Sequence, residues 1–266
     1  MPCDSCLSLR RLDIRRFGDT VSKDRRSPVS AGREAAVIPN LADIAAAVTH
    51  AKGRKTLYHF TRASNLPAMA ERDALRSSAR LLPAEAGRRR EAPTMARMGA
   101  HAATLNAHLR IPDAMLEEGC SQETFRESLD RHVFFWPTIR NCRAMWEMYG
   151  RREPEETFAV LALDAHSLLA AHAAKVKLSK YDSGSAPRFP HRCRYRKSPA
   201  LFLPLADFGH VRDGPVPLKP SDIREILVEG EVAPLSAFLQ AVYVTPVSSA
   251  PERWLDLTRP AEVLFG

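Results

Sequence analysis

Thr56-Leu57-Tyr58-His59-Phe60-Thr61, followed at once by Arg62-Ala63-Ser64-Asn65-Leu66-Pro67-Ala68-Met69, is the stretch that decides the fold. The first six residues read as a short apolar strand that delivers one histidine. Ser64 then predicts the cap of a helix. Upstream, Asn40 precedes Leu41, Ile44, Ala45 and Val48 at helical spacing, and Gly53 closes that segment. Downstream, strand-like and helix-like runs alternate irregularly, which predicts an α+β domain and not a regular βαβ series.

Those runs have clear signals in places. Ser121 caps a helix with Phe125 and Leu129 on one face. Val133-Phe134-Phe135-Trp136 is a compact apolar strand closed by Pro137, and Thr138 starts a helix that Gly150 stops. Thr157–Leu163 is a β-rich run, and Asp164 caps the helix after it. Val176–Ser179 is a strand leading into the turn chemistry of Tyr181-Asp182-Ser183-Gly184-Ser185. Ile223–Val228 is a strand, Pro234–Gln240 a short helix and Ala241–Thr245 a last strand. Residues 76–120 are the least legible, with their Ala/His-rich run to Leu109 read as helices around a mobile connection. Residues 1–38 read as a flexible extension, 39–247 as the domain and 248–266 as a C-terminal tail.

Composition bounds the function classes. The chain has 266 residues, enough for one large core, and no apolar run approaches a membrane span. Asp4, Asp13 and Asp19 interrupt the N-terminal arginines and no apolar segment follows, so a secretory signal is not expected and a cytoplasmic location is the default. The five cysteines are scattered, which argues against a disulfide framework. Cys3 and Cys6 lack further ligands at zinc spacing, and the histidines show no metal pattern. A net charge of +8 favours acidic partners. Between Ser183 and Ala206 there is no acidic residue, while Arg188, Arg192, Arg194, Arg196 and Lys197 gather around Phe189 and Tyr195. Cations neutralise phosphates and aromatic faces stack on bases, so this loop suits single-stranded nucleic acid. A solvated loop explains the same residues equally well.

A set of candidate functional residues runs in order along the chain. Glu225 sits between Ile223 and Ile226-Leu227-Val228, where an unpaired carboxylate is costly. His59 lies on the first strand, Phe135, Trp136 and Tyr149 offer ring surfaces, and Arg140 or Arg143 offers a bidentate contact for phosphate. Packing is the competing explanation for the aromatic residues, and pairing with Glu147 is the competing explanation for the two arginines.

The opening strand–helix unit resembles that of the DarT-like and related branches of the ADP-ribosyltransferase superfamily. Val133-Phe134-Phe135-Trp136-Pro137 resembles the family's aromatic strand, and Tyr181-Asp182-Ser183-Gly184-Ser185-Ala186 its Asp-Gly turn. Glu225-Ile226-Leu227-Val228-Glu229-Gly230-Glu231-Val232-Ala233-Pro234-Leu235 resembles its late strand-turn segment. The likeness spans roughly residues 55 to 247, in patches. It implies a split, mostly antiparallel sheet with flanking helices, and NAD as co-substrate. It implies that His59 orients NAD and that Arg140, as a catalytic residue, or Arg143, as a cofactor-binding one, contacts its phosphates. An aromatic residue of the Phe135/Trp136 strand covers its ring, with Tyr149 a further ring surface. Glu225 then takes the catalytic place, not Glu229 or Glu231. The family's arginine directly follows the aromatic strand's proline, whereas Thr138 and Ile139 intervene here. The resemblance implies transfer of ADP-ribose to a macromolecule, nucleic acid or protein, as in toxins and defence effectors. A non-catalytic nucleic-acid-binding module of the same fold is the alternative. NAD-dependent removal of an RNA 2′-phosphate is a third use of the fold, one that leans less on a glutamate.

Overall fold

Asn40 opens the part of the chain described by the computed structural model, residues 40–266. Its side chain accepts a 3.2 Å hydrogen bond from Ala42 N and starts α1 (Leu41–Thr49), which buries Ile44, Ala45 and Val48. The decisive stretch forms β1 (Thr56–Arg62) and then α2 (Leu66–Arg72). Ser64 does not cap that helix, because a 3-10 turn over Ala63–Asn65 intervenes. The buried Asn65 instead bonds Thr104 through both ends of its amide, at 2.7 and 3.0 Å.

Residues 76–120 differ most from expectation. After β2 (Leu75–Arg76) and α3 (Ser78–Leu81), they form a hairpin of β3 (Thr94–Met98) and β4 (His101–Leu105). Ala96 and Ala103 are opposed and buried while Met95 is exposed, so a period of two overrides the helical propensity of alanine. Gly99, at φ +70°, supplies the first position of the two-residue loop.

The next elements fall close to the expected places. They are α4 (Gln122–Asp130), β5 (His132–Phe135), α5 (Ile139–Arg152), β6 (Phe158–Asp164), α6 (Ala165–Ala171) and β7 (Val176–Ser179). Ser121, Thr138 and Asp164 cap the three helices, accepting from Thr124 N, Asn141 N and Ser167 N. Gly150 does not stop α5, which continues to Arg152. After β8 (Phe202–Pro204) come β9 (Glu225–Glu229), β10 (Glu231–Val232), β11 (Leu239–Val244), β12 (Thr258–Arg259) and α7 (Ala261–Phe265). Ile223 and Arg224 precede the strand they were expected to begin, and the predicted Pro234–Gln240 helix is a single 3-10 turn.

Two four-stranded sheets result, in the orders β1-β6-β11-β12 and β5-β9-β7-β8, with β11–β12 the one parallel pair in these sheets. Their edges meet where Tyr58 and Trp136 exchange backbone hydrogen bonds of 3.0 and 2.9 Å. Among the described residues the fold is thus α+β, with mostly antiparallel sheets, flanking helices and no barrel. β6 is buried from Phe158 through Leu163, which makes it the centre of the first sheet. Its Leu161 and Leu163 join Leu57, Leu168, Leu178, Ile226 and Val228 in the main core. Residues 248–266, expected as a tail, belong to this domain. Trp254 is buried in the main core, β12 pairs with β11, and Phe265 lies 5.0 Å from the Trp146 ring. The expected extension at 1–38 lies outside the described residues.

Candidate functional site

Where the two sheets meet, a cavity of about 480 Å³ opens, walled by β1, β4, β5, α5 and the start of β9. That volume falls within the range of about 300–1,000 Å³ usual for small-molecule and cofactor sites. His59 and Glu225 both line it.

β1 presents His59 toward the cavity while Leu57 turns into the core. The ring donates from Nδ1 to the Phe134 carbonyl at 2.9 Å and lies 5.6 Å from the Phe135 ring. A carbonyl can only accept, so the proton is on Nδ1 and the lone pair on Nε2. No described residue bonds Nε2. Burial drives the imidazole pKa down to about 4, partly offset by the Phe134 bond, so the ring is neutral near pH 7.

Glu225 begins β9, the strand held between β5 and β7, and is 3% exposed. Ser183 donates to Oε2 from its backbone N at 3.1 Å and its hydroxyl at 2.5 Å. Oε1 has no partner among the described residues. Burial, with Asp182 adding to it, pushes the carboxyl up to about 8, against the Ser183 bonds and the Lys197 charge. The acid is oriented, desolvated and beside a cavity, in keeping with a functional carboxylate.

The aromatic strand divides its work by side-chain alternation. Trp136 and Phe134 line the cavity, whereas Phe135 is fully buried in the main core. The ring contact expected of Phe135 is therefore open to Phe134, and Phe135 backs the His59 ring. Tyr149 lines the cavity, packed 5.2 Å from the Phe60 ring.

Neither predicted phosphate arginine reaches the site. Cys142, Met145 and Tyr149 form the inward side of α5, while Arg140 is exposed and Arg143 lies 5.8 Å over the Phe265 ring. The arginines on the cavity come from other elements. Arg62, at the end of β1, is buried and paired with Glu153 at 2.5 Å and with Glu156. Arg90 pairs with Asp130 at 2.7 Å, and His108 joins them at 3.1 Å. Arg110 also lines the cavity and makes no hydrogen bond or ion pair with a described residue. It is the cation most available to an anion there. Its position was not readable in sequence, because the hairpin that carries it to the cavity was not.

The basic loop has two parts. Arg188, Arg192, Arg194 and Arg196 are exposed, with the guanidinium groups of Arg188 and Arg192 5.4 and 5.2 Å from the centre of the exposed Phe189 ring. Tyr195, in contrast, stacks on Tyr181 at 3.7 Å. Lys197 is fully buried, its Nζ donating to the Asp182 and Ser183 carbonyls at 2.6 and 2.9 Å. It cannot contact nucleic acid as expected, because those carbonyls and the core enclose its charge.

Among the described residues, no group of three or more His, Cys, Asp or Glu could hold a metal ion, and no helix is long and apolar enough to cross a membrane. Fold and site together define an α+β domain with an imidazole and an acid converging on one cavity. Residues 55–239 match a family described as a family of unknown function, DUF7002, and the chain belongs to that family. No curated protein matches the chain.

Proposed function

We propose that this protein is an NAD-dependent ADP-ribosyltransferase acting on a macromolecular acceptor in the cytoplasm, in the manner of a toxin or defence effector. One observation carries the reading: His59 and Glu225, distant in sequence, line a single cavity with Nε2 and Oε1 left without partners among the described residues.

The chemistry needs these groups. Breaking the bond from ribose C1′ to the nicotinamide nitrogen sends the electron pair to the leaving group and positive charge to the sugar. A carboxylate beside that carbon stabilises the charge, as in glycoside hydrolysis. Neutral His59 accepts a ribose hydroxyl through Nε2. Glu225 supplies the carboxylate and takes the proton lost when an acceptor nucleophile bonds C1′. With Lys197 the one cation acting on it, Glu225 keeps its proton to about pH 8. The positive nicotinamide ring favours the charged form, so NAD binding and ionisation are linked. Trp136 and Phe134 offer ring surfaces, and Arg110, which lines the cavity, is the cation proposed for pyrophosphate.

The Arg188–Phe189–Arg192 cluster supports a nucleic-acid acceptor, since a ring flanked by guanidinium groups both stacks and neutralises. The test incubates the purified protein with adenylate-labelled NAD and separate pools of DNA, RNA and protein. Label in one pool, lost in Glu225→Gln, is the expected result. No label and no free nicotinamide would overturn the reading. Nucleic-acid binding surviving in its place would favour the non-catalytic module.

A further inference from the structure

Lys197 is a fully buried cation without a carboxylate partner among the described residues. Burying an ammonium group is costly unless its donors are satisfied. Two are taken by successive carbonyls of one turn, those of Asp182 and Ser183. The lysine is itself fixed, since its backbone N donates to the Met115 carbonyl at 2.6 Å and its carbonyl accepts from Glu117 N at 3.0 Å. The same turn aims the Ser183 N–H and hydroxyl at one oxygen of Glu225. Its Asp182 and Gly184 border the cavity.

We propose that Lys197 and Ser183 are positioning residues: Lys197 clamps the Asp182–Gly184 turn, and Ser183 fixes Glu225 Oε2 so that Oε1 is presented to the cavity. This rests on the reading of Glu225 as the catalytic acid, but the clamp can be measured without turnover. A fixed Oε2 leaves the carboxylate a single free oxygen and a single direction of approach, which a reaction at one carbon requires. Lys197 also places a fixed positive charge near the acid without bonding it, opposing Asp182. Lys197 and Asp182 are the two charged side chains that act on Glu225. An unclamped carboxyl at the same depth would rotate and hold its proton more tightly.

The experiment follows the Glu225 carboxyl by carbon NMR in protein labelled at glutamate, with Glu225→Gln to assign the signal. Wild type is compared with Ser183→Ala, Ser183→Thr and Lys197→Met, and nicotinamide release is measured on each. Ser183→Ala should raise the titration midpoint by about one pH unit. Ser183→Thr, which keeps the hydroxyl, should restore it. Lys197→Met should raise the midpoint as well. If Lys197→Met does not fold, the serine pair decides. An unchanged midpoint in Ser183→Ala overturns the clamp, even if wild type cleaves NAD. A shifted midpoint in a protein that never cleaves NAD upholds the clamp and removes the enzymatic reading.

Discussion

Replacing Glu225 by glutamine should make the protein more stable, and increasingly so as the pH rises. The carboxyl's ordinary pKa of 4.5 stands for the unfolded chain, and its value in the fold is about 8. The folded state therefore holds a proton that the unfolded state releases between those limits. Stability is fully present below 4.5, falls through the window, and stops falling above about 8. Each pH unit in the window corresponds to about 1.4 kcal/mol. Relative to an uncharged side chain of the same shape, the wild type thus loses about 3 kcal/mol at pH 7 and about 5 kcal/mol above pH 8. Glutamine keeps an acceptor for Ser183 and has no charge to desolvate. Urea unfolding of both proteins at pH 4.5, 7 and 8.5 measures the difference directly. The advantage of Glu225→Gln should be near zero at the first pH and largest at the last. A difference that stays flat with pH would refute the view of a desolvated acid restrained only by Ser183 and Lys197.

Other consequences are as direct. Glu225→Gln should lower the rate of nicotinamide release by about 10²–10³-fold, read by chromatography of the products. His59→Ala should weaken NAD about tenfold in a binding titration, the usual cost of one hydrogen bond. Its ring titrates near 4, so it should add no limb to the pH–rate profile above pH 5. Arg110→Ala should weaken NAD about 10- to 100-fold, while Arg140→Ala leaves binding unchanged. Asp130→Ala should cost about 3–5 kcal/mol in urea unfolding, because it leaves buried Arg90 unpaired. Burial opposes ionisation of Asp130, yet the bonds from His108 and Arg90 hold its pKa below the ordinary value of 3.8. The stability it contributes is therefore present above that value and lost only as the pH falls below it.

What could be read from the sequence was local. A strand of Thr56 to Phe60 and a glutamate between apolar neighbours are short-range patterns, and both residues they single out reach the cavity. Helix caps at Asn40, Ser121, Thr138 and Asp164 are equally local, and all four hold. The losses come from distance and phase. Which of Phe134 and Phe135 faces the cavity depends on a sheet register that the sequence of one strand does not state. Arg140 and Arg143 were placed by proximity to the aromatic strand, yet helix phase turns both away from the cavity. Alanines at 96, 102 and 103 favour a helix locally, and only the pairing across Gly99 makes them strands. Lys197 stood in a run of exposed cations, and nothing in its neighbours marks it as the one that folds inward.

A crystal structure of Glu225→Gln soaked with NAD tests the central claim most directly. The account predicts the nicotinamide ribose between His59 and residue 225, with a sugar hydroxyl bonded to His59 Nε2 and C1′ facing the former position of Oε1. NAD bound elsewhere, or a cavity that remains without it at saturating concentration, would contradict the account.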